Sequence, residues 1–185
     1  MNTKTPDPQA FRDVLGLFAT GVAVIATNVD GQLHAMTANA VSSLSLDPML
    51  VLFCPAKRAR FSQLLPHASG FSINFLRDEQ EALSTYFAGG WRETTPPRFR
   101  FITADDLPRL EGSLASLICA KHEVYDGGDH WLVTVEVRRV YRGVEPLRPL
   151  LFFHGKYRRV DARDGTSAPD LVNTSDEPVQ MYYHE

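Results

Sequence analysis

The stretch SLASLICAKHEVYDGGDHWLVTVEVRRVY, residues 113–141, decides the fold class of this chain. It contains two runs of β-forming residues, roughly 113–125 and 130–141, and Asp126-Gly127-Gly128-Asp129 between them has the composition of a tight turn. The stretch therefore predicts a long antiparallel hairpin. In its second strand, valines alternate with mostly polar residues, so one face is expected to be apolar and the other to be polar or to line a site. The valines are Val133, Val135 and Val137, and the alternating residues are Leu132, Thr134, Glu136 and Arg138.

Shorter strand patterns stand on both sides of this hairpin. They are bounded by turn signals such as Asp30-Gly31 and Asp47-Pro48, and in the strand predicted over 70–76 every second residue is a large apolar one. The polar run Thr37 to Ser45 lies between two strands, and we expect it to be a segment that leaves the backbone accessible. The other predicted strands are 22–27, 33–36, 49–54 and 150–153.

Short helical segments accompany the strands. Asp7-Pro8 followed by apolar residues at i, i+3, i+4 and i+7 predicts an amphipathic helix of about ten to thirteen residues, closed by Gly21. A basic helical stretch is expected over 57–65, and Asp78 with Glu81 predicts a capping box that opens a helix through Phe87. Residues 91–97 are expected to form a surface loop.

The balance of elements predicts a mainly β protein. Six or more strands against two or three short helices, joined by hairpins, indicate an antiparallel β-barrel with helical additions. The chain has no G-x-G-x-x-G after a first strand and no G-x-x-x-x-G-K-[ST]. Neither a doubly wound dinucleotide-binding fold nor a P-loop is therefore indicated.

Size and charge exclude several classes of protein. At 185 residues, with 44% hydrophobic and 22% charged residues, the chain is typical of one globular domain with a core. A net charge of -3 and a pI near 6.1 argue against nucleic acid as a partner. No run reaches the roughly 18 apolar residues of a membrane span, and no apolar leader precedes the first helix, so we expect a cytoplasmic protein. Cys54 and Cys119 lie in apolar runs and are expected to be buried free thiols.

Three local features suit a binding site on chemical grounds. Thr37-Ala38-Asn39 through Ser43 and Ser45 would present backbone amides and polar side chains to a flat, polar-edged ring, although a self-capping polar loop has the same composition. Lys57, Arg58 and Arg60 beside a strand end suit a phosphate, and equally a solvated helix face. Gly127-Gly128-Asp129-His130 places an imidazole after a flexible turn, where it would meet a nicotinamide or simply face solvent.

Other common catalytic arrangements do not occur. Ser42-Ser43 has no G-x-S-x-G around it, so no nucleophile elbow is indicated. The remaining histidines lack the close spacing of metal ligands, and no metal site is expected. They are His34, His67, His122, His154 and His184.

Five motifs occur in a fixed order along the chain. They are FRDVLGLFATGVAVIAT from Phe11, MTANAVSSLSLDPMLVLF from Met36, LSTYFAG from Leu83, GGDHWLVTVEV from Gly127 and PLLFFHGKYRRV from Pro149. Together they resemble the flavin reductase-like family of FMN/FAD-binding split barrels, especially the small reductase components of two-component monooxygenases. The resemblance covers about residues 9–160 and implies a Greek-key split β-barrel, residues 1–160, that forms a homodimer.

The resemblance also implies a set of site residues. It places the flavin ring and ribityl chain along Thr37, Ala38 and Asn39, with Ser43, Leu44 and Ser45 near the ring or phosphate. It places Cys54 and Lys57 by the phosphate, with Arg60 as a further contact, and Phe87 and Ala88 as walls of the flavin site. His130 matches the histidine that contacts the nicotinamide, and Tyr157 matches a recurrent position with no assigned role. Where this family usually has serine or threonine after the third strand, this chain has Cys54-Pro55-Ala56-Lys57-Arg58, which leaves the choice between FMN and FAD open.

The activity implied by the resemblance is hydride transfer from NADH or NADPH to FMN or FAD, with reduced flavin supplied to a partner monooxygenase. Two alternatives remain: a tightly flavin-bound enzyme acting on its own organic or corrinoid substrate, and a noncatalytic flavin- or haem-binding split barrel. The C-terminal tail, residues 161–185, bears on this choice, because Met181, Tyr182 and Tyr183 would fold over a pocket or embrace a partner subunit.

Overall fold

The computed structural model describes residues 7–160 and is built mainly from antiparallel strands. Its helices are α1 (Pro8–Leu15) and α2 (Glu81–Phe87), with 3-10 turns at Arg60–Leu64 and Asp78–Gln80. Its strands are β1 (Thr20–Gly21), β2 (Ala23–Val29), β3 (Gln32–Ala38), β4 (Val41–Leu46), β5 (Met49–Phe53), β6 (Gly70–Phe75), β7 (Phe101–Ala104), β8 (Leu107–Leu110), β9 (Ala115–Gly127), β10 (His130–Arg142), β11 (Leu150–Phe153) and β12 (Lys156–Arg159). No helix in this part of the chain is long and apolar enough to cross a bilayer.

The main sheet has seven strands and curls into a barrel. Its order is β3-β2-β6-β9-β10-β5-β4, so β3 and β4 are its two edges although they follow each other in sequence. Only Asn39-Ala40 separates them, and the three Cα steps from Ala38 to Val41 span at most about 11 Å. The two edges must therefore approach each other at this point. The predicted antiparallel β-barrel is confirmed, and its opening lies between β3 and β4.

The long hairpin predicted at 113–141 is confirmed, with a tighter turn than expected. Gly127 pairs with His130, so the connection is the two residues Gly128-Asp129. Gly128 has φ +81°, which matches the positive φ that a type II′ turn requires at its first central residue. The turn carries His130 at the first position of β10.

The barrel interior is filled by large apolar side chains. Phe53 and Phe71 are fully buried and pack edge to face with ring centroids 5.3 Å apart. Val133 and Val135 of β10 are also fully buried, which confirms the predicted apolar face of that strand. A second apolar cluster packs α2, β8 and β11 against the outer face of β2; its buried members are Val22, Val24, Leu76, Leu83, Leu110 and Leu150.

The run Thr37 to Ser45 was expected to lie between two strands, but most of it lies within strands. Thr37 and Ala38 end β3, and 41–46 form β4, which pairs with β5. Small hydroxyl residues favour turns locally, but β4 is an edge strand whose Ser42, Ser43 and Leu44 are exposed. Pairing with β5 satisfies its backbone and overrides the local preference.

Three helix predictions need correction. Helix α1 begins at the predicted N-cap, where the amide of Ala10 donates to Asp7, but it ends at Leu15 with Gly16 as its C-cap rather than at Gly21. The stretch 57–65 is helical only at Arg60–Leu64, as a 3-10 turn, because the amide of its first residue, Lys57, donates to the carbonyl of Asp129 in the β9–β10 turn. The capping contact before α2 comes from Gln80, whose side chain accepts from the amide of Arg77, and not from Asp78 with Glu81.

Several elements were not predicted, and one prediction lies outside the described residues. The hairpin β7–β8 and the short strands β1 and β12 lack a clear alternating pattern in the sequence.

Cys119 is a buried free thiol as predicted, whereas Cys54 is free but only half-buried. The predicted surface loop at 91–97 is confirmed. The predicted C-terminal tail, 161–185, lies outside the described residues.

Candidate active site

A cavity of about 910 Å³ opens between α1, β1 and the start of β4, and we call it the barrel-edge cavity. Its walls are mainly apolar, and three predicted flavin residues, Asn39, Ser43 and Leu44, line it. Its size lies within the range of small-molecule sites, which are apolar clefts with a few placed polar groups. Further lining residues include Phe11, Leu15, Phe18, Thr20, Phe75 and Phe152.

One polar group in this cavity has no partner among the described residues. The hydroxyl of Thr20 is buried and makes no hydrogen bond within residues 7–160. A buried hydroxyl without a partner costs free energy, so it marks a place where a polar atom of a bound molecule would be stabilised. Together with the amide of Asn39 and the hydroxyl of Ser43, it gives the cavity a polar edge beside aromatic walls. This arrangement fits a flat ring with polar atoms along one edge, such as a flavin.

Helix α1 supplies part of the cavity wall, and sequence reasoning missed this role. The apolar stripe was recognised as one face of a helix, yet Phe11 is 61% exposed and Phe18 is 73% exposed. The stripe therefore does not join the core of this chain. The available signal was the stripe itself, but periodicity shows only that a face is apolar and does not show what the face packs against.

Thr37 and Tyr157 are brought together at a different place, on α2. The hydroxyl of Thr37 donates to the carbonyl oxygen of Ser84 at 2.6 Å, and the Ser84 hydroxyl lies 2.8 Å from the hydroxyl of Tyr157. Ser84 is fully buried. These two predicted site residues thus use their side chains to join β3, α2 and β12. Ala38, next to Thr37, is buried in the barrel core.

Phe87 and Ala88 end α2 and also lie outside the lining of the barrel-edge cavity. Phe87 packs edge to face against Phe99 and Phe101, at centroid distances of 5.0 and 6.0 Å. The amide of Ala88 donates to the carbonyl of Ser84 and closes the helix. Both residues therefore stabilise the loop that follows α2.

Lys57 and His130 meet at the tip of the long hairpin. Ala56 forms a β-bridge with His130, and the Lys57 amide donates to the carbonyl of Asp129 at 2.9 Å. The Lys57 ammonium lies 2.5 Å from a carboxylate oxygen of Asp126 and 4.6 Å from the ring centre of Trp131. Lys57 is thus held against the turn rather than extended into solvent.

The imidazole of His130 is half-exposed and paired with its neighbour. Its Nδ1 lies 2.7 Å from a carboxylate oxygen of Asp129. This hydrogen bond, followed by the charge of His130, lowers the pKa of Asp129 below its usual range. With Nδ1 bonded to the carboxylate, Nε2 is left to face an incoming molecule.

The remaining predicted residues lie between these two regions or beside them. Cys54 follows β5, and its amide donates to the carbonyl of Ala40 in the cavity wall at 3.2 Å. Burial raises the pKa of the Cys54 thiol. Ser45 lies in β4 and is half-buried, while Arg60 is exposed and forms no ion pair with the rest of residues 7–160. In the same part of the chain, no three His, Cys, Asp or Glu side chains lie close enough to hold a metal ion.

The cavity and the hairpin tip are linked along one short piece of chain. The amide of Cys54 donates a hydrogen bond to Ala40 in the cavity wall. Lys57 is three residues further along the chain, so its Cα lies at most about 11 Å from the Cα of Cys54. The Lys57 residue therefore lies close to the cavity wall along the chain. The structure thus places the barrel-edge cavity, the Lys57 ammonium and the half-exposed imidazole of His130 along one short piece of chain.

Comparison with known proteins agrees with this geometry. The reductase subunit HsaB of a flavin-dependent monooxygenase from Rhodococcus jostii is 37% identical over 167 residues, which are 88% of this chain and 83% of the relative. An NADH-dependent flavin reductase from a Rhodococcus species is 35% identical over 157 residues, 83% of this chain and 87% of its own. The solved structure of the flavin reductase PheA2 in its native state has a TM-score of 0.78 and 37% identity, covering 84% of this chain and 99% of the other.

A family model described as "Flavin reductase like domain" matches residues 15–161, from the end of α1 to just beyond β12. This range contains the whole barrel, including the β3–β4 edge and the hairpin tip. The chain belongs to the flavin reductase like domain family.

Proposed function

We propose that this protein is an NADH-dependent flavin reductase that uses FMN or FAD as a diffusible substrate and supplies reduced flavin to a separate monooxygenase component. The observation that carries the proposal is the barrel-edge cavity, where aromatic walls meet the polar edge formed by Thr20, Asn39 and Ser43. The relatives support the nicotinamide donor and the partner class, since one is named an NADH-dependent flavin reductase and another a monooxygenase reductase subunit. We place the reaction in the cytoplasm, where free thiols such as Cys119 stay reduced.

Each part of the site has a distinct task in this reaction. The flavin, when bound, accepts a hydride from the nicotinamide, and the electronic work belongs to the two cofactors. Asn39 and Ser43 orient the polar edge of the ring. Phe11 of α1 and Phe18, which follows the helix, exclude water from its apolar side. Lys57 attracts the phosphate, and His130 orients the nicotinamide through Nε2. None of these side chains needs to act as an acid or a base.

NADH oxidation by the purified protein tests the proposal directly. FMN, FAD and riboflavin are added in turn, and we expect a nearly colourless protein that consumes NADH only when a free flavin is present. A yellow protein that keeps its flavin through gel filtration and is not reduced by NADH would contradict the proposal. The order of the KM values for the three flavins also shows how much the phosphate and the adenosine contribute to flavin binding.

Replacing His130 by alanine tests the nicotinamide site. Loss of one hydrogen bond from a half-exposed imidazole is expected to raise the KM for NADH about tenfold, because about 1.4 kcal/mol corresponds to a factor of ten. The Kd for FMN, measured by fluorescence titration, should change less than about twofold. His67→Ala is the matched control, since His67 is exposed and makes no side-chain hydrogen bond within residues 7–160. Equal losses of NADH use and FMN binding would remove the role assigned to His130.

We also propose that a second copy of the chain covers the exposed apolar face of α1 and of the short segment that follows it. Val14 is 65% exposed and Leu17 is 60% exposed, beside Phe11 and Phe18. Contiguous apolar patches of this kind mark interaction sites. Because the same helix forms one wall of the barrel-edge cavity, a partner there would enclose the bound ring.

Analytical ultracentrifugation tests this assembly. We expect a dimer for the unchanged protein and a shift toward monomer for Val14→Asp, which places a charge in the apolar face without touching the cavity lining. Gln32→Asp adds the same charge at the exposed first residue of β3 and should remain dimeric. A monomeric unchanged protein would refute the assembly.

A further inference from the structure

The cation assigned to the flavin phosphate already has an anionic partner. One carboxylate oxygen of Asp126 lies 2.5 Å from the ammonium of Lys57, and the other accepts the amide of Gly128 at 2.9 Å. The second bond fixes the orientation of the carboxylate within the hairpin turn. Asp126 is therefore held against Lys57 by the backbone and does not depend on a ligand for its position.

We propose that Asp126 competes with the flavin phosphate for Lys57 and thereby keeps flavin affinity low enough for the reduced flavin to leave. The inference rests on the proposed function, because it takes Lys57 as the contact for the phosphate. The inference assigns a role to Asp126, which would set the affinity for flavin by pairing with the Lys57 ammonium. In this role Asp126 touches neither the flavin ring nor the nicotinamide.

The exposure of the pair allows this exchange. The Lys57 side chain is 31% exposed and that of Asp126 is 69% exposed, so the contact faces solvent and can open. An exposed ion pair contributes little net stability, and the pair is therefore easily replaced by a doubly charged phosphate. The Lys57 hydrogen bond is the main cause of the lowered pKa of Asp126, so the carboxylate stays ionised and competes throughout the neutral range.

Low affinity has a physical purpose in a reductase whose flavin is a substrate. The flavin must enter oxidised and leave reduced, so release belongs to the catalytic cycle. Tight binding of the phosphate would stabilise the bound states of both forms equally and would slow departure without accelerating hydride transfer. The Asp126 carboxylate, paired with Lys57, weakens the binding of the flavin phosphate. The Lys57 ammonium still attracts the phosphate as the flavin approaches.

The test uses FMN and riboflavin, which differ by the phosphate. Kd values are measured by quenching of flavin fluorescence with the full chain, its Asp126→Asn variant, its Lys57→Met variant and the double variant. Asparagine retains an oxygen that accepts from Gly128, so the turn is conserved while the charge is lost. Asp105→Asn is the matched control, because Asp105 is also a partly exposed aspartate paired with an arginine, Arg139, rather than with Lys57.

Asp126→Asn is expected to tighten FMN binding about threefold to tenfold and to leave riboflavin binding within about twofold. Lys57→Met should weaken FMN alone, and Asp126→Asn should have no effect in the Lys57→Met background. Asp105→Asn should change neither flavin. Because a disturbed turn would also displace His130, an unchanged KM for NADH in Asp126→Asn shows that the turn is intact.

Two results would overturn the inference. Equal changes for FMN and riboflavin in Asp126→Asn would show an effect on the ring site, and no change for either would show that Lys57 does not bind phosphate in competition with Asp126. The proposed function is judged separately, by flavin-dependent NADH oxidation in the unchanged protein. If that reaction is present and the FMN-to-riboflavin ratio does not respond to Asp126, only the competition is refuted.

Discussion

Replacing Tyr157 by phenylalanine distinguishes a structural hydroxyl from a flavin contact. The Tyr157 hydroxyl lies 2.8 Å from the hydroxyl of Ser84, a fully buried residue on α2. Phenylalanine conserves the ring, which packs edge to face against Phe152 with centroids 5.6 Å apart. The substitution therefore removes one hydrogen bond and leaves the packing of β12 in place.

The expected loss follows from what remains at Ser84. A buried polar group that loses its partner costs about 1–3 kcal/mol. The lower value applies if the Ser84 hydroxyl rotates toward the carbonyl of residue 80, four positions earlier along the chain. At about 2–4 °C per kcal/mol for a protein of this size, Tm should fall by about 2–12 °C.

Thermal unfolding followed by circular dichroism measures this loss. All variants are compared at one protein concentration, because association would shift Tm. Tyr125→Phe is the matched control, since Tyr125 is 53% exposed and its hydroxyl makes no hydrogen bond within residues 7–160. We expect the FMN Kd of Tyr157→Phe to stay within about twofold. An unchanged Tm with several-fold weaker FMN binding would refute the structural role and identify Tyr157 as a ligand contact.

Two further predictions concern the barrel. A Cβ at Gly70 would meet the carbonyl oxygen of Cys119 at 2.4 Å, so Gly70→Ala should lower the free energy of unfolding by about 1–3 kcal/mol. Gly90→Ala meets only ordinary contacts and should be near neutral; equal urea midpoints for the two variants would contradict the steric argument. Burial raises the pKa of Cys119 to about 12, so a thiol reagent at pH 8 should label Cys54 in the native state and Cys119 only after unfolding, whereas equal labelling rates would show that β9 opens readily.

The main strands of the barrel could be predicted because their local patterns agree with their environments. Val133 and Val135 alternate with more polar residues, and the structure buries them in the barrel. The turn before His130 carries glycine where a positive φ is required. Strand β4 could not be predicted in the same way, since Ser42 and Ser43 favour turns. They form a strand by pairing with the neighbouring β5, which is itself held in the sheet by the distant strand β10.

In the candidate site, too, contacts between residues close in sequence could be predicted, and contacts between distant residues could not. Asn39, Ser43 and Leu44 share a cavity wall because they are close in sequence, at the start of the edge strand β4. Thr37 is equally close in sequence, yet its hydroxyl bonds to Ser84, which α2 brings to it from 47 residues away. Proximity along the chain thus indicated a segment that lines the cavity, but not which of its side chains face the cavity.

The sequence by itself determined the antiparallel barrel and the family, because hydrophobic alternation, turn residues and motif order are local properties of the chain. Only the tertiary structure decided that the apolar face of α1 lines a cavity and that Tyr157 stabilises α2. It also decided that Lys57 is held by Asp126, 69 residues away. Such pairings depend on how distant segments of the chain pack together. The sequence pattern gives the residue type of each partner, but not the distance between the partners in the folded protein.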